Sequence, residues 1–101
     1  MPQIAEPDFT VILEVLVEHH VDFVVVGGVS AVLNGAPINT FDLDVVHGRS
    51  ATNVRKLLSA LDSLHAHYRP HADRKLKPGV SHLTSPGHSN LTTRFGPLDP
   101  S

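Results

Sequence analysis

An α/β (α+β) fold, with a mixed, mainly antiparallel sheet of four to five strands packed against two main helices, is predicted by three features of this 101-residue chain. A β-branched run at Phe23 to Val26 ends in two glycines. Two amphipathic stretches, from Asp8 and from Ser50, carry apolar residues at helical spacing, and several short apolar segments bounded by turn residues fill the remainder. With 41% apolar residues, one domain spanning 1–101 is expected, large enough for a single core.

Met1 to Pro7 reads as a loose lead-in. Asp8 is placed as an N-cap for Phe9, Ile12, Leu13 and Leu16, which share one helix face, while Glu14 and Glu18 fall outside it. The helix should end near His19-His20. Phe23 to Val26, apolar on both faces, predicts a buried central strand. Gly27-Gly28 allows positive φ and close backbone approach, and Val29 to Asn34 predicts a short helix closed by Gly35. A strand, a glycine turn and a helix N-terminus present backbone N–H groups suited to phosphate, with the Ser30 hydroxyl in the first helical turn.

Thr40 to Val46 then predicts a strand with one partly open face. Asp42 and Asp44, two residues apart, project to the same side with Cα atoms roughly 6.7 Å apart, while Leu43 and Val45 project into the core. Two carboxylates that close repel, and a hard divalent cation relieves the repulsion: Mg²⁺ takes carboxylate oxygens at about 2.0–2.1 Å and keeps waters or substrate phosphate oxygens as further ligands.

Ser50 caps a predicted helix over Ala51 to about Leu64, whose stripe is Val54, Leu57, Leu58, Leu61 and Leu64. Arg49, in the preceding loop, is close in sequence to a phosphate site. His65, His67, Tyr68, Arg69, Pro70 and His71 lead into Ala72 to Gly79, a polar stretch that reads as a mobile loop; a zinc site from His65, His67 and His71 is conceivable because His-x-His on a strand shares a face, but it lacks an evident fourth ligand. Val80 to Thr84 and Leu91 to Phe95 predict a hairpin across Ser85-Pro86-Gly87-His88. Asp99 beside the last apolar segment is the candidate third carboxylate. Pro100 predicts that this strand is frayed or at an edge.

Cysteine is absent, which excludes disulfides, thiolate metal sites and a cysteine nucleophile. No leader pattern and no apolar run near the roughly 20 residues of a membrane span is apparent, so a cytoplasmic protein is expected. Net charge is −2, but all eight lysines and arginines lie from Arg49 onward, with only Asp62, Asp73 and Asp99 as acids there. An acidic metal-binding half and a basic phosphate-meeting half is one reading of that split; solvated helix faces and loops are the other.

Gly27-Gly28, an intervening helix and the apolar-flanked Asp42-Leu43-Asp44 resemble the signature of the DNA polymerase β type nucleotidyltransferase superfamily, in its small bacterial single-domain (minimal nucleotidyltransferase) branch. The likeness covers roughly Val21 to Leu64. It implies that Gly27, Gly28 and Ser30 contact the nucleotide, that Asp42, Asp44 and Asp99 are catalytic and hold two Mg²⁺ ions, and that an NTP such as ATP is the substrate; Thr40 and Arg49 are further candidate nucleotide contacts, a loop arginine being more often only solvated. A nucleoside monophosphate would pass to an acceptor hydroxyl on tRNA, a protein or a small molecule. Where many relatives carry a basic residue before the aspartates, this chain has Ile38-Asn39-Thr40, and it ends two residues after Asp99. Both features suit the alternative, a shortened non-catalytic relative that binds a nucleotide or a protein partner, for example as a toxin-antitoxin component.

Overall fold

The computed structural model describes residues 8–27, 42–69 and 76–101. They form a mixed, mainly antiparallel five-stranded sheet with helices, an α+β fold. The elements are α1 (Phe9–Glu18), β1 (Phe23–Val26), β2 (Leu43–His47), α2 (Ala51–Ser63), β3 (His67–Tyr68), α3 (Val80–Thr84), β4 (Leu91–Thr93) and β5 (Gly96–Pro100). Strand order is β1-β2-β5-β4-β3, with β2 and β5 parallel and the other neighbours antiparallel. The helix expected over Val29 to Asn34, and Gly28, Ser30 and Thr40 with it, lie outside the described residues.

Both long helices start where their caps predict. The Asp8 side chain accepts from Val11 N–H at 3.3 Å, and Ser50 Oγ accepts from Asn53 N–H at 3.1 Å, each satisfying a first-turn donor. Ile12 and Leu16 from α1 join Val54, Leu57, Ala60 and Leu61 from α2, and Leu43, Val45, Leu91 and Leu98 from the sheet, in one buried cluster. Leu43 and Val45 are fully buried, as their alternation with Asp44 predicts. One polar residue belongs to this framework. Asn53, 4% exposed, accepts from Asp22 N–H at 2.7 Å and donates to the carbonyls of Asp22 at 3.0 Å and Gly48 at 2.7 Å. Its amide thereby ties the start of β1 and the end of β2 to α2.

Three expectations are corrected. β1 is an edge strand, not a central one: it pairs only with β2 among the described strands, and Val24 and Val26 turn to the face that Asp44 occupies, where they are 59% and 37% exposed. Val80 to Thr84 is a short helix rather than a strand. Thr84 Oγ1 donates to the Val80 carbonyl at 2.9 Å and Ser85 Oγ to the Ser81 carbonyl at 2.9 Å, so side chains satisfy the last carbonyls while Leu83 alone anchors the turn in the core. The hairpin instead joins β4 to β5 across Arg94-Phe95, with Gly96 at φ 130°. In addition, His67–Tyr68, to which the sequence assigned no element, forms the short strand at the far edge.

β5 is the most informative difference, since it occupies the centre of the sheet in spite of Pro97 and Pro100. Ser101 donates to the Val45 carbonyl at 2.9 Å and accepts from His47 N–H at 3.2 Å, so its backbone groups face β2. Alternation then turns Asp99 and Pro97 toward β2, and Leu98 and Pro100 toward β4. The β2 ladder begins at Leu43↔Leu98 and the β4 ladder ends at Leu91↔Leu98, so each proline faces a neighbour just past the end of its pairing. No ladder donor is missing where one is needed.

Candidate functional site

The site lies on the sheet face opposite the helices, across the ends of β1, β2 and β5. Asp44, the second residue of β2, sits opposite Val26 of β1 on one side and Asp99 of β5 on the other. Because β2 and β5 are parallel and in register there, Asp44 and Asp99 share a face at the spacing of adjacent strands, about 4.8 Å. Asp42 precedes β2 and is two residues from Asp44, on the same side. Three carboxylates are thus brought together from two positions in sequence more than 50 residues apart.

Their mutual influence is visible in Asp44. Burial raises its carboxyl above the ordinary aspartate range, and the negative charges of Asp99 and Asp42 push it further the same way; His88 and Arg69 offset part of this. Gly27 explains how Asp44 fits. Its φ is +73°, and a Cβ placed there would stand 2.5 Å from Asp44 Oδ2, so a glycine at the end of β1 leaves the space that the carboxylate fills.

The other two carboxylates are tied to protein partners. Asp42 Oδ2 accepts from Arg69 Nη2 at 2.8 Å, and the same Nη2 donates to Asn90 Oδ1 at 3.3 Å. Asp99, 6% exposed, is held at both oxygens: Oδ1 accepts from Ser89 N–H at 2.8 Å, and Oδ2 lies 2.8 Å from His88 Nδ1. His88 itself is 74% exposed, so its imidazole stands at the mouth of the site with only Nδ1 committed.

A hydrogen-bonded column supports the segment that supplies these contacts. The Tyr68 hydroxyl bonds His82 Nδ1, the two rings stack with centroids 5.5 Å apart, and His82 Nε2 lies 3.2 Å from Ser89 Oγ. Ser89 is 2% exposed, which makes it a fixed part of the wall and gives substrate no access to its hydroxyl.

No family model, curated protein or solved structure matches the chain.

Of the residues singled out in the sequence, Gly27, Asp42, Asp44 and Asp99 come together. Arg49 does not. It is exposed, two residues past the end of β2 opposite to Asp42, and makes no ion pair among the described residues. Gly28, Ser30 and Thr40 lie outside the described residues. Sequence reading missed Arg69 and His88, the first in the segment leading into the expected loop and the second in the expected turn. The only signal was the basic, histidine-rich character of the second half, which does not say which residue reaches the carboxylates.

The donor set fits a hard divalent cation in its chemistry: three carboxylates and no thiolate, with the Asp44 carboxyl raised by burial and by the charges of Asp99 and Asp42. The same groups are not gathered into a ready-made cluster. Among the described residues, no three histidine, aspartate or glutamate side chains converge as metal ligands. Asp42 is bonded to Arg69, and Asp99 to His88 and the Ser89 N–H. Each carboxylate oxygen nonetheless has two lone pairs, so a bond to protein does not exhaust it.

Proposed function

We propose that this chain is a minimal nucleotidyltransferase, which passes a nucleoside monophosphate from an NTP to an acceptor hydroxyl. The observation that carries the reading is the register Asp44↔Asp99, with Asp42 two residues upstream and Gly27 closed against Asp44. It joins the carboxylates and one glycine of the sequence motif in one place, on one face of a sheet.

When bound, two Mg²⁺ ions supply Lewis-acid stabilisation of the phosphate charge. Asp42 and Asp44 would supply oxygens to hold them, with Asp99, oriented by the Ser89 N–H and His88, as the third carboxylate. In the overall reaction the acceptor oxygen forms a bond to the α-phosphorus, the α–β phosphoanhydride bond breaks, pyrophosphate leaves, and the hydroxyl proton passes to solvent or a base. The candidate acceptors remain a tRNA end, a protein hydroxyl or a small molecule. Mg²⁺-dependent incorporation of label from an α-labelled NTP tests the reading. Incorporation by the wild type that disappears in Asp44→Asn supports it, and a thermal shift with NTP but no incorporation under any acceptor rejects it.

A second reading, a non-catalytic relative that binds nucleotide or a protein partner as in a toxin-antitoxin pair, draws on the protein bonds already made by Asp42 and Asp99. The two readings separate at Asp99→Asn. A catalyst loses transfer while keeping NTP binding, whereas a binding module shows no transfer to lose.

A further inference from the structure

We infer that Arg69 is an internal counter-ion that occupies Asp42 when no cation is bound and turns to the substrate phosphates when one is. This rests on the nucleotidyltransferase reading, and assigns the phosphate-binding cation that the sequence lacks just before its aspartates.

Arg69 follows β3 and is separated from Asp42 by 27 positions, so no local pattern pairs them. Its side chain is 32% exposed and that of Asp42 38%, which leaves the pair at the surface of the site and not sealed within the core. The guanidinium is only partly satisfied there. Nη2 serves both Asp42 and Asn90, while Nε is buried with no partner among the described residues. A buried donor without an acceptor is costly, so this position depends on the attraction of the carboxylate. A divalent cation on Asp42 removes that attraction and repels the guanidinium.

The distances suit a transfer of Arg69 from one anion to the other. In octahedral coordination with bonds of about 2.1 Å, adjacent ligand oxygens lie about 3 Å apart. A phosphate oxygen that shares a cation with Asp42 would therefore stand about 3 Å from the carboxylate that Arg69 now holds at 2.8 Å. A change of side-chain rotamer suffices to move the planar fork from carboxylate to phosphate, which it can grip with two parallel bonds. The backbone of Arg69 meanwhile stays fixed, since its N–H donates to the Asn90 carbonyl at 3.0 Å.

The role implies effects of opposite sign. Removing Arg69 takes a competitor off Asp42, so cation alone should bind more tightly; it also takes a ligand from the phosphates, so nucleotide should bind less tightly. The test measures Mn²⁺ affinity without nucleotide by electron paramagnetic resonance, and Mg²⁺–ATP affinity by calorimetry, on wild type and Arg69→Met. Mn²⁺ should bind about three- to tenfold tighter and ATP about tenfold weaker, the range between an exposed ion pair and a charge-assisted hydrogen bond. Arg69→Lys, which keeps a charge for Asp42 without the planar fork, should leave Mn²⁺ affinity near wild type and still weaken ATP, and serves if the Met variant does not fold. Unchanged ATP affinity in both variants overturns the inference and leaves Arg69 a structural ion pair. Wild-type protein that binds ATP only without a divalent cation, or binds neither ligand, removes the nucleotidyltransferase reading itself.

Discussion

Gly27→Ala probes the closest approach in the site. Two separate effects act on the variant. At φ +73° an L side chain occupies the left-handed region, which costs about 1–2 kcal/mol. The new Cβ would also stand 2.5 Å from Asp44 Oδ2 and 3.3 Å from its Cγ, whereas ordinary contact starts near 3.4 Å, so the carboxylate must rotate away. Pushing a side chain off its rotamer adds about 0.5–1.5 kcal/mol. The sum is a loss of roughly 1.5–3.5 kcal/mol, read by urea denaturation. In an Asp44→Ala background the clashing oxygen is gone, and of the three nearest atoms the Asp44 Cβ, at 3.4 Å, is left at ordinary contact distance. There Gly27→Ala should cost only the backbone share, about 1–2 kcal/mol. The coupling between the two sites is therefore about 0.5–1.5 kcal/mol, within the range seen for residues in contact. Equal costs in both backgrounds would refute the idea that Gly27 exists to seat the Asp44 carboxylate.

Asp44→Asn should stabilise the fold at neutral pH: burial and the charges of Asp99 and Asp42 raise the folded carboxyl above its unfolded value, so ionisation works against folding once pH exceeds that unfolded value. The gain should fade as pH falls below the ordinary aspartate range, where both states are protonated, and denaturation curves at neutral and acid pH measure it. Asn53→Ala removes three hydrogen bonds and leaves the backbone groups of Asp22 and Gly48 without them; about 3 kcal/mol should be lost in urea titration, and a loss under 1 kcal/mol would mean that water replaces the amide. Ser50→Ala should cost about 1 kcal/mol in the same assay through the lost α2 cap.

Local signals carried the framework. Asp8 and Ser50 mark helix starts because a short polar side chain can reach a first-turn N–H, and Leu43 and Val45 mark the inward face of β2 because alternation leaves Asp44 the other. Asp99 was legible as a candidate only through its apolar surroundings. Its register with Asp44 depends on a parallel pairing across 55 positions that nothing nearby encodes. Misreadings have the same origin. Phe23 to Val26 is apolar on both faces, which suits a central strand, yet Val24 and Val26 lie on the open face of an edge strand. Pro97 and Pro100 argue against a central strand until the neighbours' ladder ends are known. In Val80 to Thr84, a single turn of helix with Leu83 alone buried and hydroxyls of Thr84 and Ser85 on its carbonyls is too short to show an apolar period. Arg69 reaches Asp42 across 27 positions and His88 reaches Asp99 from the neighbouring turn, and neither contact leaves a spacing to read.

The central claim is that Asp42, Asp44 and Asp99 serve transfer at the α-phosphorus of an NTP. Parallel reactions with α-labelled and γ-labelled ATP, GTP, CTP and UTP, each with Mg²⁺ or with chelator, and with bacterial tRNA or protein extract as acceptor, test it most directly. In the expected result, label from the α position enters the acceptor, label from the γ position leaves as pyrophosphate, chelator abolishes both, and Asp99→Asn keeps Mg²⁺–NTP binding while losing transfer. Label entering the acceptor from the γ position, or incorporation that persists with chelator or in Asp44→Asn, would contradict it.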